Sequence, residues 1–450
     1  MTRTRFDHRL PVRFATLLAA GLALTLLSGC QKLHQVFSLS GPQSTMVTDG
    51  PVAKFQWDLF MITVWVSLFI FILVGAVLAY AQIKFRAKTA ADEKSEPPPQ
   101  GHGNPLVEIG LIVASVLLLV IIAIPTVQGI WHTHDVPEAE KADAIDITAH
   151  GYQWWFKFEY NTERVTIPDG TEGANLFAAN ELVIPAGAPI RVHLRTVDVI
   201  HSFWVPKLAG KVDMIPNRAN FLWMKADRPG YYYGQCAEYC GESHAIMKFR
   251  VIALSWPDYA RWLQNQKAGA RTASASAIAR ESASTVKVQF ASADLSDTRP
   301  GSTLAGSPAF DADPLAAWRR KQEPEAGENP ALIAKGHELF GAKTCNNCHT
   351  VRGHQDSRGT PYGGITAPDL THVGSRSTIA AGVLENSPAR LAQWLAHPEY
   401  FKPGNKMYHG IGGMAGYMKP DPENARKLVP NIVLDDGEID ALVAYLHSLK

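Results

Sequence analysis

The sequence predicts a multidomain membrane protein: a two-helix transmembrane hairpin, a β-sandwich, and a small all-α domain that ends the chain. Three observations carry this. Two long apolar runs, 59–83 and 109–130, contain no ionised residue. From 144 to about 253 apolar residues alternate with polar ones, the period of half-buried strands. Two metal-binding signatures follow, Cys236-Ala-Glu-Tyr-Cys240-Gly-Glu-Ser-His244-Ala-Ile-Met247 and Cys345-Asn-Asn-Cys348-His349. At 450 residues the chain has room for about three domains. Its formal net charge of +1 gives no basic field for nucleic acid and no acidic tail.

At the N-terminus Arg3, Arg5, Arg9 and Arg13 precede an apolar stretch from Phe14 to Leu27. This is the layout of a signal peptide, residues 1–29, and it places the mature N-terminus outside the cell membrane. The stretch ends in Leu27-Ser28-Gly29-Cys30. Small residues before a cysteine resemble the bacterial lipoprotein signal, in which Cys30 becomes the lipid-modified first residue. An ordinary signal peptide or a short anchor is the alternative. Residues 30–58 then form an exported N-terminal segment.

The hairpin occupies 59–130. Its apolar runs span about 37 Å and about 33 Å at 1.5 Å per residue, enough to cross a bilayer. Lys84, Arg86, Lys88 and Lys94 lie between them, and Pro97-Pro98-Pro99 keeps the connection extended. Four basic residues in a short loop place it in the cytoplasm, so both flanks face outward.

The β-domain is expected over 131–266. In 152–160 one face of a single strand would carry Tyr152, Trp154, Phe156, Phe158 and Tyr160. Further strands are expected at 181–184, 190–195, 220–225, 231–235 and 247–253, punctuated by Pro185, Gly187, Pro229 and Gly230. A helix over 256–266 closes the domain. Residues 267–329, rich in Ala and Ser, read as a linker, in part helical. The last domain, 330–450, begins with a helix that contains Gly336-His337-Glu338-Leu339-Phe340 and runs into the Cys345 motif. It ends with a helix capped by Asp435 and Glu438 that places Ile439, Leu442, Val443 and Leu446 on one face.

Two thiolates, two imidazoles (His201 and His244) and a thioether are the soft and borderline ligands that copper prefers. Cys236 and Cys240 are four apart, with Gly241 to turn the loop, so both sulfurs can bridge two ions. His201 and His244 can each terminate one ion, with Met247 and the Glu238 carbonyl as weak axial donors. A disulfide between the cysteines and a structural zinc site remain open on spacing alone. Cys345-x-x-Cys348-His349 is the pattern of covalent haem c attachment, although the bare motif also serves zinc and redox chemistry. A copper centre and a haem on one chain point to electron transfer rather than hydrolysis.

A membrane hairpin followed by Asp198-Val199-Ile200-His201-Ser202-Phe203 and Gly234-Gln235-Cys236-Ala237-Glu238-Tyr239-Cys240-Gly241 resembles subunit II of cytochrome c oxidase. The likeness runs from about Phe55 to Val251 and includes Gly151-Tyr152-Gln153-Trp154-Trp155. It implies a cupredoxin-like fold and the dinuclear copper centre CuA. The ligands it implies are His201, Cys236, Glu238 through its carbonyl, Cys240, His244 and Met247. It also implies that the Glu238 side chain reaches a magnesium ion bordering subunit I, and that electrons arrive through Trp154. Core packing is the plain alternative for Trp154. Glu108 matches the family's glutamate at the cytoplasmic mouth of a proton channel, although Ile109-Gly110-Leu111 follows it here where Trp-Thr is common. An ordinary interfacial carboxylate is its alternative.

Residues 330–450 are similar to class I cytochrome c, which implies haem bound through Cys345 and Cys348 with His349 on the iron. The sixth ligand is expected at Met407, in Lys402-Pro403-Gly404-Asn405-Lys406-Met407, although Tyr408 follows where the family commonly has Pro. Met414 and Met418 are the competing thioethers.

Subunit II with a C-terminal cytochrome c is the arrangement of caa3-type oxidases. The resemblance implies electron flow from cytochrome c or another donor through haem c and CuA to haem a in subunit I. There oxygen is reduced to water with proton pumping. It further implies subunit I and other oxidase subunits as partners, and a bacterial inner-membrane location with both redox domains on the periplasmic side. A membrane-anchored electron carrier serving another reductase is the alternative. Nitrous oxide reductase also holds CuA but needs a His-rich second copper domain, which is not evident here. Quinol oxidase subunits of this fold lack the copper cysteines.

Overall fold

The computed structural model describes residues 41–92, 96, 101, 103–166, 173–271, 312–323, 328–424 and 427–450. Cys30, the signal segment and most of the 267–329 linker lie outside the described residues.

Two long helices come first, α1 (Pro51–Lys84) and α2 (Pro105–His134). Each starts with Pro at its first position, where no intrahelical N–H is needed. The Asn104 side chain caps α2 by accepting from Leu106 N at 3.0 Å. No residue of either apolar window is buried, as a bilayer-facing surface requires. Both helices outrun the apolar stretches at the end nearer the β-domain, and those turns grip it. Ala53 N donates to Leu208 O at 3.2 Å, and Trp223 Nε1 donates to His132 O at 3.0 Å. Gly129 leaves room for Phe55: a Cβ there would come within 2.6 Å of the ring.

The β-domain is two stacked five-stranded sheets. In one, β3 (Ala174–Ala179), β2 (Trp155–Val165), β1 (Ile145–Tyr152), β5 (Ile190–Thr196) and β8 (Asn220–Met224) lie side by side in that order. In the other the order is β4 (Glu181–Pro185), β10 (Lys248–Leu254), β9 (Gly230–Cys236), β6 (His201–Trp204) and β7 (Val212–Met214). The pairs β1–β5 and β4–β10 are parallel; the others are antiparallel. Phe156 and Phe158 from one sheet meet Phe203 and Phe249 from the other at ring separations of 4.7–6.4 Å, a buried aromatic core between the layers.

The expected single strand over 152–160 is instead the corner of a hairpin. Tyr152 ends β1, Trp155 begins β2 and the two pair across a turn made by Gln153 and Trp154. The alternation from Phe156 to Tyr160 is real, but Trp154 belongs to the turn. Four strands were not singled out in the sequence: β1, β3, β6 and β7. The last two are short and hold His201 or sit beside it, so periodicity had too few residues to register. Helix α3 (Trp256–Lys267) closes the domain, with Ser255 as its cap.

Within the segment read as linker, α4 (Pro314–Lys321) packs on the β-domain, with Trp318 buried in the core between the sheets and this helix. The last domain centres on α5 (Pro330–Ala342) and the terminal helix, α9 (Asp436–Ser448), which carries the expected capping box. Between them lie α6 (Pro388–Ala396), α7 (Pro398–Phe401), α8 (Lys406–His409) and three two-stranded hairpins. The first pairs β11 (Thr350–Gln355) with β12 (Pro361–Gly363), the second β13 (Thr378–Ile379) with β14 (Leu384–Glu385), and the third β15 (Met418–Pro420) with β16 (Leu428–Pro430).

The α5–α9 crossing depends on Gly336. A Cβ there would lie 1.9 Å from Ala441 O and 2.6 Å from its carbonyl carbon. Alanine gains about 1 kcal/mol of helix propensity over glycine, but backbone atoms cannot yield as a flexible side chain can. Gly336→Ala should therefore destabilise this domain by about 1–3 kcal/mol. Thermal unfolding followed at the domain's own chromophore checks it, and an unchanged midpoint would show that the helices do not rely on this close approach.

Candidate metal centre

The first cluster lies in the loop between β9 and β10, at one end of the sandwich. β9 delivers Cys236, the 3₁₀ turn His244–Ile246 delivers His244, and Met247 immediately precedes β10. His201 comes from the start of β6, the neighbour of β9. Cys236 Sγ lies 3.7 Å from Cys240 Sγ, 3.8 Å from His201 Nδ1 and 3.2 Å from Glu238 O. Cys240 Sγ lies 3.6 Å from His244 Nδ1 and 3.8 Å from Met247 Sδ.

These separations fit a metal. Ligands at about 2.0–2.3 Å from an ion, at tetrahedral angles, sit about 3.5–3.8 Å apart. They do not fit a disulfide, which needs sulfurs about 2.05 Å apart; both cysteines are free thiols and buried. Structural zinc closes its shell with four donors. Here a thioether and a carbonyl join the two thiolates and two imidazoles, a donor set suited to copper.

The surroundings hold this loop in place. His201 is fully buried, and Gly151 on β1 makes the room, since a Cβ there would meet the imidazole at 2.7 Å. Its Nε2 is bound by Asp198 Oδ1 at 2.8 Å, which turns Nδ1 toward Cys236. Burial pulls the Asp198 carboxyl up, but hydrogen bonds with His201, Gln153 N and Val199 N outweigh it and hold the group below its usual range. Burial works against a charged His201, yet Asp198 and Cys236 raise its affinity for a proton. The hydrogen bond with Cys240 leads in lowering Cys236, against burial, and the same pairing with burial raises Cys240.

Trp154 is buried, 6% exposed, and its indole N–H donates to Cys240 O at 3.0 Å. Gln153 Nε2 donates to the same carbonyl at 2.9 Å. Gly241, at φ +114°, turns the loop beside them; a Cβ would press on both side chains at 3.1 Å. The Glu238 carboxylate leans toward Lys211, 3.9 Å away, and is partly exposed.

The second cluster follows α5. Cys345 opens a 3₁₀ turn, Cys345–Asn347, that Cys348 caps, and His349 leads into β11. His349 Nδ1 lies 2.7 Å from Pro368 O, so it carries the proton and leaves Nε2 as the free donor atom. Burial keeps His349 below its ordinary value and pushes the Cys345 thiol up to about 12. Both cysteines are free, and the set fits covalent haem attachment with an axial imidazole. Met407 sits on α8, and Met414 and Met418 follow it; all three are half-buried, so burial does not choose among them. Tyr417 N donates to Met407 O at 3.0 Å, folding this loop back on itself.

The loop that bears Met407 packs over Trp154. Gly404, at φ +73°, passes over the indole, and a Cβ there would lie 3.0 Å from its Cη2 atom. Lys406 Nζ stands 6.0 Å from the ring centre. Ser243 Oγ, next to His244, donates to Pro403 O at 2.6 Å. Glu108 is far away, exposed in the first turn of α2, a helix of about 45 Å whose other end meets the β-domain.

Asp198, Gln153 and Gly151 were not singled out as functional in the sequence. The visible signal was weak: an acid three residues before His201, and small or amide residues beside an aromatic pair.

Residues 145–254 match the family described as "Cytochrome C oxidase subunit II, periplasmic domain", and residues 333–450 match "Cytochrome c". The chain is similar over its full length to cytochrome c oxidase subunit 2 of Alkalihalophilus pseudofirmus, 30% identical and covering 100% of this chain and 98% of that one. It is 27% identical to cytochrome c oxidase subunit 2 of Bacillus subtilis, covering 96% of this chain and 97% of that one. Among solved structures, the periplasmic domain of subunit II of cytochrome oxidase from Bradyrhizobium japonicum is 33% identical, covering 27% of this chain and 93% of that one, with a TM-score of 0.23.

Proposed function

The chain belongs to the cytochrome c oxidase subunit 2 family, with a fused cytochrome c domain, and from that premise we propose that it carries electrons inward through two centres of its own. A haem c held by Cys345, Cys348 and His349, with Met407 on the far side of the iron, and a dinuclear CuA would supply the one-electron chemistry. His201, Cys236, Glu238 O, Cys240, His244 and Met247 would hold the two coppers. The acceptor is haem a of subunit I, where oxygen is reduced to water with proton pumping, and the electron donor is cytochrome c or another carrier. Both redox domains would stand on the periplasmic side of the bacterial inner membrane, anchored by α1, α2 and a lipid on Cys30.

One observation carries this reading: the loop bearing Met407 rests on Trp154, whose indole is hydrogen-bonded to Cys240 O. Trp154 therefore touches a backbone atom of the copper loop on one side and the haem domain on the other. The residues around the copper loop fix its ligands before any metal arrives, so little needs to move as charge changes. Asp198 sets the His201 ring, Gly241 sets the turn, and Gln153 with Trp154 pins the Cys240 carbonyl. The Glu238 carboxylate would turn from Lys211 toward a magnesium ion bordering subunit I. Glu108 would take up protons at the cytoplasmic mouth of a channel, as intramembrane carboxylates at helix ends can.

Purification of the detergent-solubilised complex with optical spectra and metal analysis tests the whole reading. Haem c and two coppers in this subunit, haem a in subunit I and magnesium at their border are expected. A complex without haem a would instead favour an electron carrier serving another reductase. Mass spectrometry of the mature N-terminus tests Cys30.

Cys236→Ser should abolish the copper absorption and leave the haem c spectrum nearly intact, since both sulfurs serve both ions. Unchanged copper content would sink the bridging arrangement. Glu108→Gln should slow oxidase turnover without disturbing either metal site; wild-type turnover would make Glu108 an ordinary interfacial residue.

Met407→Ala should remove the weak near-infrared sulfur-to-iron band and lower the haem potential, because a thioether ligand favours reduced iron. Met414→Ala and Met418→Ala should do neither. Survival of the band in Met407→Ala, with its loss in one of the others, would reassign the ligand.

A further inference from the structure

We propose that Glu181 is the positioning residue that locks the haem domain onto the copper domain, and so fixes the Pro403–Gly404 turn on Trp154. This rests on the electron path proposed above.

Glu181 begins β4, at the edge of the second sheet, and is 5% exposed. Its Oε1 accepts from Ser377 N at 2.7 Å, Thr378 N at 3.2 Å and Ser377 Oγ at 2.5 Å. Its Oε2 accepts from Trp318 Nε1 at 3.0 Å. All four donors lie outside the β-sandwich: three on the haem domain and one on α4 of the connecting segment. Burying a carboxylate costs several kcal/mol unless its oxygens are satisfied. This one is satisfied only when the 377–378 backbone and the Trp318 indole arrive together, in one geometry. A docking that slips by an ångström or two would leave the carboxylate buried without partners.

The neighbouring strands extend the lock. Glu181 pairs in register with Arg250 on β10, and Arg250 Nη2 donates to Gly382 O at 2.9 Å. Lys248 N, next to Met247, donates to Ala381 O at 3.1 Å. Tyr231 on β9 shares Ser377 Oγ at 2.8 Å. Both ends of the 377–382 turn are thus held by strands that flank the copper loop, and the Ser243–Pro403 contact lies beyond it. Glu181 touches neither cluster, so its action on electron flow would pass entirely through domain alignment.

The test uses the full chain in the purified complex, with Glu181→Ala, Glu181→Gln and Ser377→Ala. Hydrogen exchange at 377–382 and 403–406 reads the docking. Flash-initiated transfer between the haem c and copper chromophores, at several solvent viscosities, reads the alignment. In Glu181→Ala, exchange in both segments should rise together by about 10- to 100-fold, as loss of hydrogen bonds to a charged group allows. The transfer should become slower and viscosity-dependent, with both optical spectra unchanged. Glu181→Gln should restore part of the protection, since its amide oxygen still accepts from Ser377 while its NH2 opposes Trp318. Ser377→Ala should move both readouts in the same direction but less far, and it carries the test if Glu181→Ala does not fold. Wild-type exchange in Glu181→Ala or, failing that, Ser377→Ala would overturn the lock. Raised exchange with an unaltered transfer rate would uphold the lock and overturn the route through Trp154.

Discussion

The Cys240 carbonyl accepts two hydrogen bonds from consecutive residues, Gln153 Nε2 at 2.9 Å and Trp154 Nε1 at 3.0 Å. Both donors sit in the β1–β2 turn of one sheet, while the carbonyl belongs to a loop of the other. A metal loop between strands would otherwise be free to spread, because two thiolates repel each other once deprotonated. Tying the loop across the sandwich keeps the sulfurs 3.7 Å apart, near enough to share an ion and too far to bond. Gly151, Gly241 and Asp198 then follow as requirements of that arrangement. One clears space for His201, one turns the backbone and one selects the imidazole nitrogen that faces the sulfur. The aromatic core of Phe156, Phe158, Phe203 and Phe249 holds the two sheets at the spacing the cross-tie needs.

Directional polar bonds cross the contact between the two domains, beside the apolar packing of Ile246 in the core of the last domain. Arg352 donates to Lys267 O at 3.2 Å, Ala270 N to Arg352 O at 2.7 Å, and the Glu181 and Arg250 contacts lie beside them. An apolar interface tolerates sliding, since burial energy depends on area and not on angle. Buried charges do not, because an unpaired one costs several kcal/mol. Polar docking therefore specifies one alignment, as the proposed transfer between two centres would require.

Much of this was legible in the sequence, and the residues explain which parts. The hairpin was visible because a bilayer demands long uncharged runs, and the strands around Ile190 and Tyr231 because a half-buried sheet imposes alternation. The metal loops were visible because few residue types bind soft metals. Trp154 was misplaced in a continuous strand, since an aromatic turn residue mimics the alternation of the strand that follows it. β6, with four residues, was too short to show a period. Asp198 and Glu181 were illegible for different reasons: Asp198 acts on its near neighbour His201 through ring geometry, while Glu181 meets Ser377, 196 residues along the chain, and a local pattern encodes neither.

Covalent joining of the cytochrome c domain to this fold changes how the two domains meet. Two separate proteins must meet by diffusion and find one orientation among many, a requirement that cuts typical association rates to about 10⁵–10⁷ per molar per second. A tether makes the encounter intramolecular and raises the effective concentration without adding a contact. Joining alone does not supply orientation, however, and a polar interface pays for orientation only when its charges are matched. Here α4 lies in the connecting segment and contributes Trp318 to Glu181, so the connection is itself part of the interface. The segment thereby does two things at once: it keeps the haem domain close, and it completes the hydrogen-bonding of the buried carboxylate that defines where the domain sits.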